Sequence, residues 1–346
     1  MTDKTLYWIW LTVGLNFNSK AVSRILEKFT PEEAYSENFE SLKECKVSLS
    51  LLESLKSQSL DRAKDIMDKC KRIGAEIIHF GMSSYPESLK RLEDKPFVLY
   101  VKGDVEILSK NKIVAFLGTR KMTVRGKEWA EKTAEDLISK GYTLVSGGAE
   151  GIDSVALKVS LERKVPPIAV MGVDIDKYYP TINRPLLDKV ASSGVLMSEY
   201  PPDTNARFFP LRNRIVVGLS SEVYVIEAPR HSGALISGRL ALKYNIPLYT
   251  LPLDSENFQG CALLIKEGAI SITGEGKEKH VKKENSVSQN LEGTRAYIYN
   301  RLMKGEESEN SLVDSEHGIV EILTALTELE LEGLIKALPG GKYSLK

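Results

Sequence analysis

Apolar residues in the first 70 positions recur at the spacing of helix faces. Leu6 and Trp10 lie four residues apart, and residues 49–70 repeat leucine, alanine and isoleucine at three- and four-residue intervals. Residues 30–33, Thr-Pro-Glu-Glu, are typical of a capped helix start, because proline is tolerated at the first helical position. The pattern predicts an all-helical domain over residues 1–70.

Beyond residue 112 the pattern changes to short apolar runs separated by helical stretches. The runs are Lys112 to Leu117, Tyr142 to Val145, Ile168 to Met171, Gly194 to Met197, Glu222 to Ile226 and Pro247 to Leu251. Strands that alternate with helices predict a parallel sheet, and mostly apolar strands indicate that helices cover both of its faces. We therefore predict a Rossmann-like, doubly wound α/β core over residues 112–273, with residues 71–111 as its lead-in.

The chain from residue 274 onward has a different character. Residues 274–290 are mostly polar and predict a flexible linker. Helical signals follow around Tyr297 to Leu302 and Ile319 to Leu334, and Pro339-Gly340-Gly341 then marks a tight hairpin. Helices followed by a hairpin predict a small winged-helix module over residues 291–346.

Charge and cysteine usage narrow the class of protein. The 346 residues carry 47 basic and 47 acidic side chains, which argues against a protein coated in positive charge, so any nucleic-acid site is expected to be a local patch. The cysteines, Cys45, Cys70 and Cys261, show no CxxC spacing, which favours a reducing compartment and indicates neither a disulfide framework nor a zinc site. The first ten residues lack signal-peptide character, and no apolar run approaches about 18 residues. We expect a cytoplasmic protein with no membrane span, metal or cofactor.

Two glycine-containing loops follow the first two predicted strands. Gly118-Thr119-Arg120 follows the first, and Ser146-Gly147-Gly148 with Gly151 follows the second. Glycines let the backbone N–H groups approach an anion closely, and an arginine can grip a phosphate with two hydrogen bonds. These loops predict a phosphate pocket. The alternative is a plain turn in which Asp153 caps the next helix.

A third candidate region combines aromatic rings with cations. Arg207, Phe209, Arg212 and Arg214 lie within eight residues, and base stacking beside cationic groups is the chemistry of single-stranded DNA binding. The alternative places one phenylalanine in the core and pairs Arg212 with a carboxylate, Glu199 or Glu227.

A further loop opens the helix after the Glu222 run. Ser232 and Gly233 stand at its start and are expected to aim N–H donors at the same anion as the first two loops.

Taken in order along the chain, these motifs resemble the DNA-processing protein A (DprA, also called Smf) family. The motifs that carry the resemblance are Gly118-Thr119-Arg120, Ser146-Gly147-Gly148, Gly151-Ile152-Asp153, Tyr179-Pro180 with Asn183, Ser198-Glu199, Phe209 to Arg214, Glu227-Ala228, Ser232-Gly233 and Gly268-Ala269. Their order, rather than any single motif, is specific.

The resemblance implies a single-stranded DNA-binding recombination mediator that is not an enzyme. It further implies a homodimer formed through the Rossmann-like domain, loading of the RecA recombinase during natural transformation, and an amino-terminal domain similar to a sterile alpha motif. By motif position Arg120 would hold a phosphate, residues 146–148 would offer backbone donors, and Phe209 would stack on a base.

Three other functions are less consistent with the sequence. Phosphoribohydrolases of related fold carry Pro-Gly-Gly-x-Gly-Thr-x-x-Glu where this chain has residues 232–238 without that glutamate, although Glu227 keeps nucleotide binding or hydrolysis as an alternative. A dehydrogenase would need Gly-x-Gly-x-x-Gly after the first strand, which is absent. A winged-helix transcription factor is disfavoured because the helix near Leu329 is acidic.

Overall fold

The computed structural model describes residues 3–253, 255–272, 291, 293–302, 305, 307–314, 318–338 and 342–345. The chain divides into two compact units, Met1–Lys282 and Lys283–Lys346. None of the helices within these described stretches is both long and apolar enough to cross a membrane.

The amino-terminal unit opens with helices, as predicted. They are α1 (Thr5–Gly14), α2 (Ser19–Leu26), α3 (Pro31–Ser36), α4 (Phe39–Lys43), α5 (Leu49–Lys56) and α6 (Leu60–Arg72). The start of α3 shows the physical basis of the predicted helix cap at residues 30–33. The Thr30 hydroxyl accepts a hydrogen bond from the Glu33 backbone N–H at 3.3 Å, and the Glu33 carboxylate accepts one from the Thr30 backbone N–H at 2.8 Å.

A nine-stranded sheet follows. Its strands are β1 (Glu76–His79), β2 (Val98–Gly103), β3 (Ile113–Leu117), β4 (Thr143–Ser146), β5 (Ile168–Met171), β6 (Val195–Ser198), β7 (Glu222–Val225), β8 (Leu248–Thr250) and β9 (Ile270–Ser271). Their spatial order is β1-β2-β6-β5-β4-β3-β7-β8-β9. Strands β3 to β9 pair in parallel, so the six predicted runs and the parallel sheet are confirmed.

Residues 71–111, predicted only as a lead-in to the core, form part of the sheet itself. It supplies β1 and β2, which pair with each other and add antiparallel to the edge strand β6, with Tyr100 opposite Ser198. Gly103 ends β2 with φ +106°, and a Cβ there would lie 2.0 Å from the carbonyl oxygen of Gly194. Glycine is therefore required where the end of β2 meets the residue before β6.

Helices connect the strands on both faces of the sheet. They are α7 (Val124–Ser139), α8 (Ile152–Glu162), α9 (Arg184–Ser193), α10 (Phe209–Leu219), α11 (Gly233–Lys243) and α12 (Gln259–Lys266). One apolar core contains Phe116, Ile215 and Val223; a second joins Trp8 and Ile25 of the amino-terminal helices to sheet and helix residues on the other face. The amino-terminal helices thus share a core with the sheet.

Strand order reverses at β3. Its neighbours are β4 on one side and β7, reached through α10 from β6, on the other. In open α/β sheets ligands bind beside such a reversal, at the carboxyl ends of the strands. The loops after β3, β4, β5 and β7 are therefore the place to look for a site.

The carboxyl-terminal unit is small. It contains α13 (Gly293–Leu302), β10 (Glu307–Ser308), α14 (Glu309–Leu312), α15 (Ile319–Leu331), β11 (Ile335–Leu338) and β12 (Lys342–Leu345). The three strands form an antiparallel sheet in the order β10-β12-β11. The predicted linker over residues 274–290 and the turn at residues 339–341 lie outside the described residues, and the winged-helix assignment stays a prediction.

Candidate functional site

The carboxyl ends of β3, β4 and β5 meet at a small pocket of about 40 Å³. Its lining is Arg120, Gly147, Ala149, Glu150, Gly172, Tyr179, Pro180, Phe209 and Arg212. Four predicted site residues, Arg120, Gly147, Phe209 and Arg212, thus come together from two separate loops and α10. A larger, open groove at the opposite edge of the sheet, lined by Lys112, Tyr142 and Val165 among others, contains none of the predicted site residues.

Arg120 is the exposed cation of this pocket. Its guanidinium carbon lies 5.8 Å from the centre of the Phe209 ring. The loop that carries Arg120 is held to the end of β7, since the backbone N–H of Thr119 donates to the carbonyl oxygen of Glu227 at 2.8 Å. No carboxylate within the described part of the chain forms an ion pair with Arg120. The structure therefore holds the backbone of this arginine while its side chain stays available to an anion.

Glu227 is not a free carboxylate. It is fully buried, and its two oxygens accept hydrogen bonds from the Thr123 backbone N–H at 3.0 and 3.2 Å. Burial raises its pKa, which the bonds from Thr123 oppose. The group on which the hydrolysis alternative depends is thus engaged in fixing the start of α7, and that alternative is not favoured.

Some hydrogen-bond donors of the glycine turn after β4 already have partners within the protein. The Gly147 backbone N–H donates to the Asp153 carboxylate at 3.1 Å, and the Ser146 hydroxyl donates to the Phe116 carbonyl oxygen at 2.7 Å. The expectation that Asp153 caps α8 is wrong, because Gly151 holds the cap position and Asp153 lies in the first turn. The Gly147 N–H is therefore already engaged inside the protein. Of the hydrogen-bond donors that residues 146–148 were predicted to offer an anion, the Gly148 N–H is left.

Left-handed backbone explains the glycines of this turn. Gly148 has φ +67° and Gly151 φ +79°, a region that side chains disfavour. A Cβ on Gly151 would lie 2.2 Å from the Thr119 carbonyl oxygen, and one on Gly118 would lie 2.5 Å from the Ile152 side chain. The loops after β3 and β4 are thus in direct contact.

Arg212 forms the buried floor of the pocket. It is 6% exposed, and its guanidinium donates to the carbonyl oxygens of Gly147 and Val170. Burial lowers its pKa, the nearby Asp153 carboxylate raises it and Arg120 lowers it. The alternative that paired Arg212 with Glu199 or Glu227 is therefore wrong about the partner.

The prediction that Arg214 contacts DNA is corrected by its surroundings. Arg214 is 5% exposed and pairs with Glu199, whose two carboxylate oxygens accept hydrogen bonds from the single nitrogen Nη2 at 2.7 and 2.8 Å. Its Nε also donates to the Asp94 carbonyl oxygen at 2.7 Å. These bonds fix α10 to the end of β6, so we reassign Arg214 to a structural role.

The alternative that put one phenylalanine in the core is met in part, because Phe209 packs against the second apolar core without being fully buried. Phe208 is 44% exposed, with its ring 5.2 Å from that of Tyr200. Phe209 is half-buried and its ring lies 4.7 Å from that of Tyr179. A Cβ on Gly172 would come within 2.9 Å of Phe209 Cδ1, so this glycine lets the ring sit over the end of β5.

Two residues of the Tyr-Pro-x-x-Asn motif contribute to the pocket, although neither was predicted as a site residue. Tyr179 is 40% exposed and lines the pocket. Asn183 is buried, and its amide donates to the Gly148 carbonyl oxygen at 3.0 Å and to Ser154 Oγ at 2.9 Å. The only sequence signal for them was the motif, because periodicity does not show that residues 179–183 return to the glycine turn.

The remaining predicted residues lie outside the pocket lining. Arg207 is exposed one residue before the phenylalanine pair. Ser232 caps α11, where its hydroxyl accepts a hydrogen bond from the Leu235 backbone N–H at 3.2 Å, and Gly233 is exposed at the start of that helix.

A doubly wound, mostly parallel sheet with arginines and a glycine turn at its strand reversal defines a Rossmann-like class of α/β protein. Within that class, the chain belongs to the DNA recombination-mediator protein A family, whose model matches residues 76–282.

Relatives and solved structures agree with this assignment. The chain is 33% identical to protein Smf of Escherichia coli K12, covering 76% of this chain and 75% of that protein. It is 36% identical to DNA processing protein DprA of Bacillus subtilis, covering 58% and 68%. A match to protein Smf of Synechocystis, at 39% identity, spans 56% of this chain and half of that protein.

Two solved structures are similar over most of their own length. DNA processing protein A from Streptococcus pneumoniae matches with a TM-score of 0.68 at 26% identity, covering 77% of this chain and 93% of that one. The protein from Helicobacter pylori matches with a TM-score of 0.51 at 32% identity, covering 56% and 87%, and its structure concerns that protein's single-stranded DNA binding mode.

Proposed function

We propose that this protein binds single-stranded DNA at the pocket beside β3, β4 and β5 and acts as a recombination mediator without catalysing a reaction. The observation that carries the proposal is the meeting of exposed Arg120, buried Arg212 and half-buried Phe209 in one pocket. A cation beside an aromatic ring matches a nucleotide that offers a phosphate and a base.

Electrostatics support a phosphate at this place. The Arg120 cation lies close enough to repel the positive charge of Arg212 and lower its pKa, and Asp153 is the carboxylate beside Arg212. An anion between the guanidinium groups would relieve that repulsion, and the buried Arg212 would strengthen its binding because solvent does not screen it. The Gly148 N–H, at a left-handed turn, offers a backbone donor at the same edge.

The aromatic groups support a single strand rather than a duplex. Tyr179 and Phe208 are 40% and 44% exposed, and Phe209 lies between Tyr179 and Arg120. Rings at this position can stack on unpaired bases, which are not accessible inside a duplex. The related Helicobacter pylori protein has a described single-stranded DNA binding mode.

The proposal is tested by fluorescence anisotropy of labelled oligo(dT) across a salt series, with unlabelled duplex DNA as competitor. We expect tight binding that duplex competes for poorly. The log–log salt slope is expected to be about −0.7 for each phosphate contacted. Absence of binding even at low salt would refute the proposed function.

Arg120→Ala tests the pocket itself. We expect about tenfold weaker binding and a salt slope smaller by about 0.7, because one cation–phosphate contact is lost. Arg163→Ala is the matched control, since Arg163 is also exposed but follows the far end of α8 and pairs with Glu135. Equal affinities of the two variants would move the site away from this pocket.

We further infer that the protein forms a homodimer through the Rossmann-like domain and helps to load RecA during natural transformation. Family membership supports both statements, and Ile236 on α11 is an apolar side chain that is 58% exposed. Sedimentation velocity of Ile236→Glu tests the dimer, which we expect to dissociate. An ATPase or strand-exchange assay with RecA on DNA coated by single-strand binding protein tests loading.

We assign the carboxyl-terminal unit to protein binding or to modulation of the dimer, as a winged-helix module. Its helix α15 carries Glu328, Glu330 and Glu332 near its end, and Arg295 pairs with two of them. An acidic helix does not suit contact with phosphates. Oligo(dT) affinity is therefore expected to survive deletion of residues 291–346.

A further inference from the structure

The segment before α10 is held against the loop that follows β5. Ile175 N–H donates to the Tyr200 carbonyl oxygen at 3.1 Å, and Phe208 N–H donates to the Gly172 carbonyl oxygen at 2.8 Å. Between these two bonds, Val173 and Arg207 form an isolated antiparallel bridge. Residues 200–208 therefore form a closed loop attached at both ends, with Arg207 and Phe208 at its exit.

A single buried carboxylate fills the inside of that loop. Asp174 is fully buried. Its Oδ2 accepts from the backbone N–H groups of Thr204 at 3.1 Å and Asn205 at 2.8 Å, and its Oδ1 accepts from that of Ala206 at 2.9 Å. The Thr204 hydroxyl donates to Oδ1 at 2.5 Å, and Lys177 Nζ lies 3.0 Å from Oδ2. Five donors thus converge on one side chain.

The loop needs this support because its backbone is in an unfavourable conformation. Asp203 and Asn205 have φ +64° and +54°, in the left-handed region that costs free energy for any residue with a Cβ. Three successive N–H groups turned toward one point are satisfied best by an anion. The carboxylate of Asp174 supplies that anion from inside the protein.

We propose that Asp174 is a positioning residue for DNA binding, which acts by holding Arg207 at the phosphate backbone next to the pocket. Arg207 does not line the pocket, and it is exposed at the point where the loop joins α10. The inference rests on the proposed function and extends it, because it adds a second contact region outside the pocket and names the group that orients it.

The alternative is that Asp174 only stabilises the fold. The two roles differ in what they predict for Arg207. If Asp174 acts through Arg207, replacing either residue removes the same phosphate contact, and replacing both costs little more than replacing one. If Asp174 is merely structural, the two substitutions change affinity independently.

The experiment measures oligo(dT) anisotropy with the full-length chain, as wild type, Asp174→Asn, Arg207→Ala and the double variant, each over a salt series. Asparagine keeps the shape of the side chain but loses the charge and one acceptor oxygen. We expect Asp174→Asn and Arg207→Ala each to weaken binding about tenfold and to reduce the salt slope by about 0.7. The double variant is expected to match the single variants in slope.

Two further variants keep the test decisive. Asp188→Asn is the matched control, because Asp188 is an exposed carboxylate on α9 that bonds Tyr178 and not the loop. Thr204→Val removes one hydroxyl donor to Asp174 and leaves the loop backbone intact, so it serves if Asp174→Asn does not fold. We expect it to weaken binding a few-fold, with no further loss in the Arg207→Ala background.

The outcomes separate the positioning role of Asp174 from the proposed DNA-binding function. An unchanged salt slope in Asp174→Asn and Thr204→Val, or effects that add to Arg207→Ala, would overturn the positioning role while oligo(dT) binding by the wild type keeps the proposed function. A wild type that does not bind oligo(dT) would remove both.

Discussion

Removing the buried cation Arg214 is expected to destabilise the amino-terminal unit strongly. In Arg214→Met the Glu199 carboxylate, 4% exposed, would lose both of its bonds to the guanidinium. The Asp94 and Leu211 carbonyl oxygens would each lose a donor. Breaking a buried pair by removing one partner costs about 3–5 kcal/mol, because a charge is left without compensation. At about 2–4 °C per kcal/mol for a unit of this size, the melting temperature should fall by roughly 10 °C.

The pH dependence of this loss has a definite sign. Burial already raises the pKa of Glu199, and Arg214 lowers it, so the variant raises it further. The folded variant then binds a proton more readily than the unfolded chain, whose glutamates have a pKa of about 4.3. The contribution of Glu199 to the stability of the variant is therefore fully present at low pH and is lost as pH rises through the raised pKa. Arg214→Met should be closer to the wild type at pH 5 than at pH 8.

Thermal unfolding followed by circular dichroism at the two pH values measures both effects. Arg239→Met is the matched control, because Arg239 also bonds both carboxylate oxygens of one glutamate, Glu267, but the two side chains are 40% and 33% exposed. That pair should contribute only about 0–1 kcal/mol. Replacing Glu199 with leucine in the Arg214→Met background should restore most of the stability. A shift of Arg214→Met no larger than that of the control, or an equal loss at both pH values, would refute the reasoning.

Two other perturbations test the turn and the amino-terminal helices. In Gly147→Ala the new Cβ would lie 2.4 Å from the Arg212 guanidinium, so we expect a loss of about 1–3 kcal/mol in urea unfolding and weaker oligo(dT) binding, whereas Gly233→Ala, with nothing nearer than 3.9 Å, should unfold like the wild type. Burial lowers the pKa of His79, which stacks on Trp8 at 5.2 Å and accepts a hydrogen bond from the Gly81 N–H. The unfolded chain binds that proton more readily, so stability should fall as pH drops below about 6.5, and His79→Phe should lack this loss. Tryptophan fluorescence during urea unfolding measures it, and a pH dependence that survives in His79→Phe would contradict the assignment.

The sequence predicted the architecture of the core because local signals and the fold agree there. The six apolar runs became strands since a sheet covered on both faces needs continuous apolar segments. The strands β1 and β2 were missed for a related reason. They pair antiparallel at the edge next to β6, and nothing in the local pattern of residues 76–103 shows which strand they will meet.

The candidate site was predicted in outline, since the rule that ligands bind at the ends of parallel strands needs only the strand order. Arg120, Gly147, Phe209 and Arg212 do come together. Which arginine lines the pocket could not be predicted, because Arg212 and Arg214 are two residues apart on one helix and differ only in what lies opposite them.

What the sequence determined by itself was therefore the set of elements, the edge of the sheet that carries the loops, and the family resemblance in the order of motifs. Only the tertiary structure decided how each polar group is used. Glu199 meets Arg214, Asp153 meets Gly147, and Asp174 meets residues 204–206, in each case across at least six positions of sequence. Burial removes water as a partner, so these pairings follow from which chain segments pack together and not from the residues adjacent in sequence.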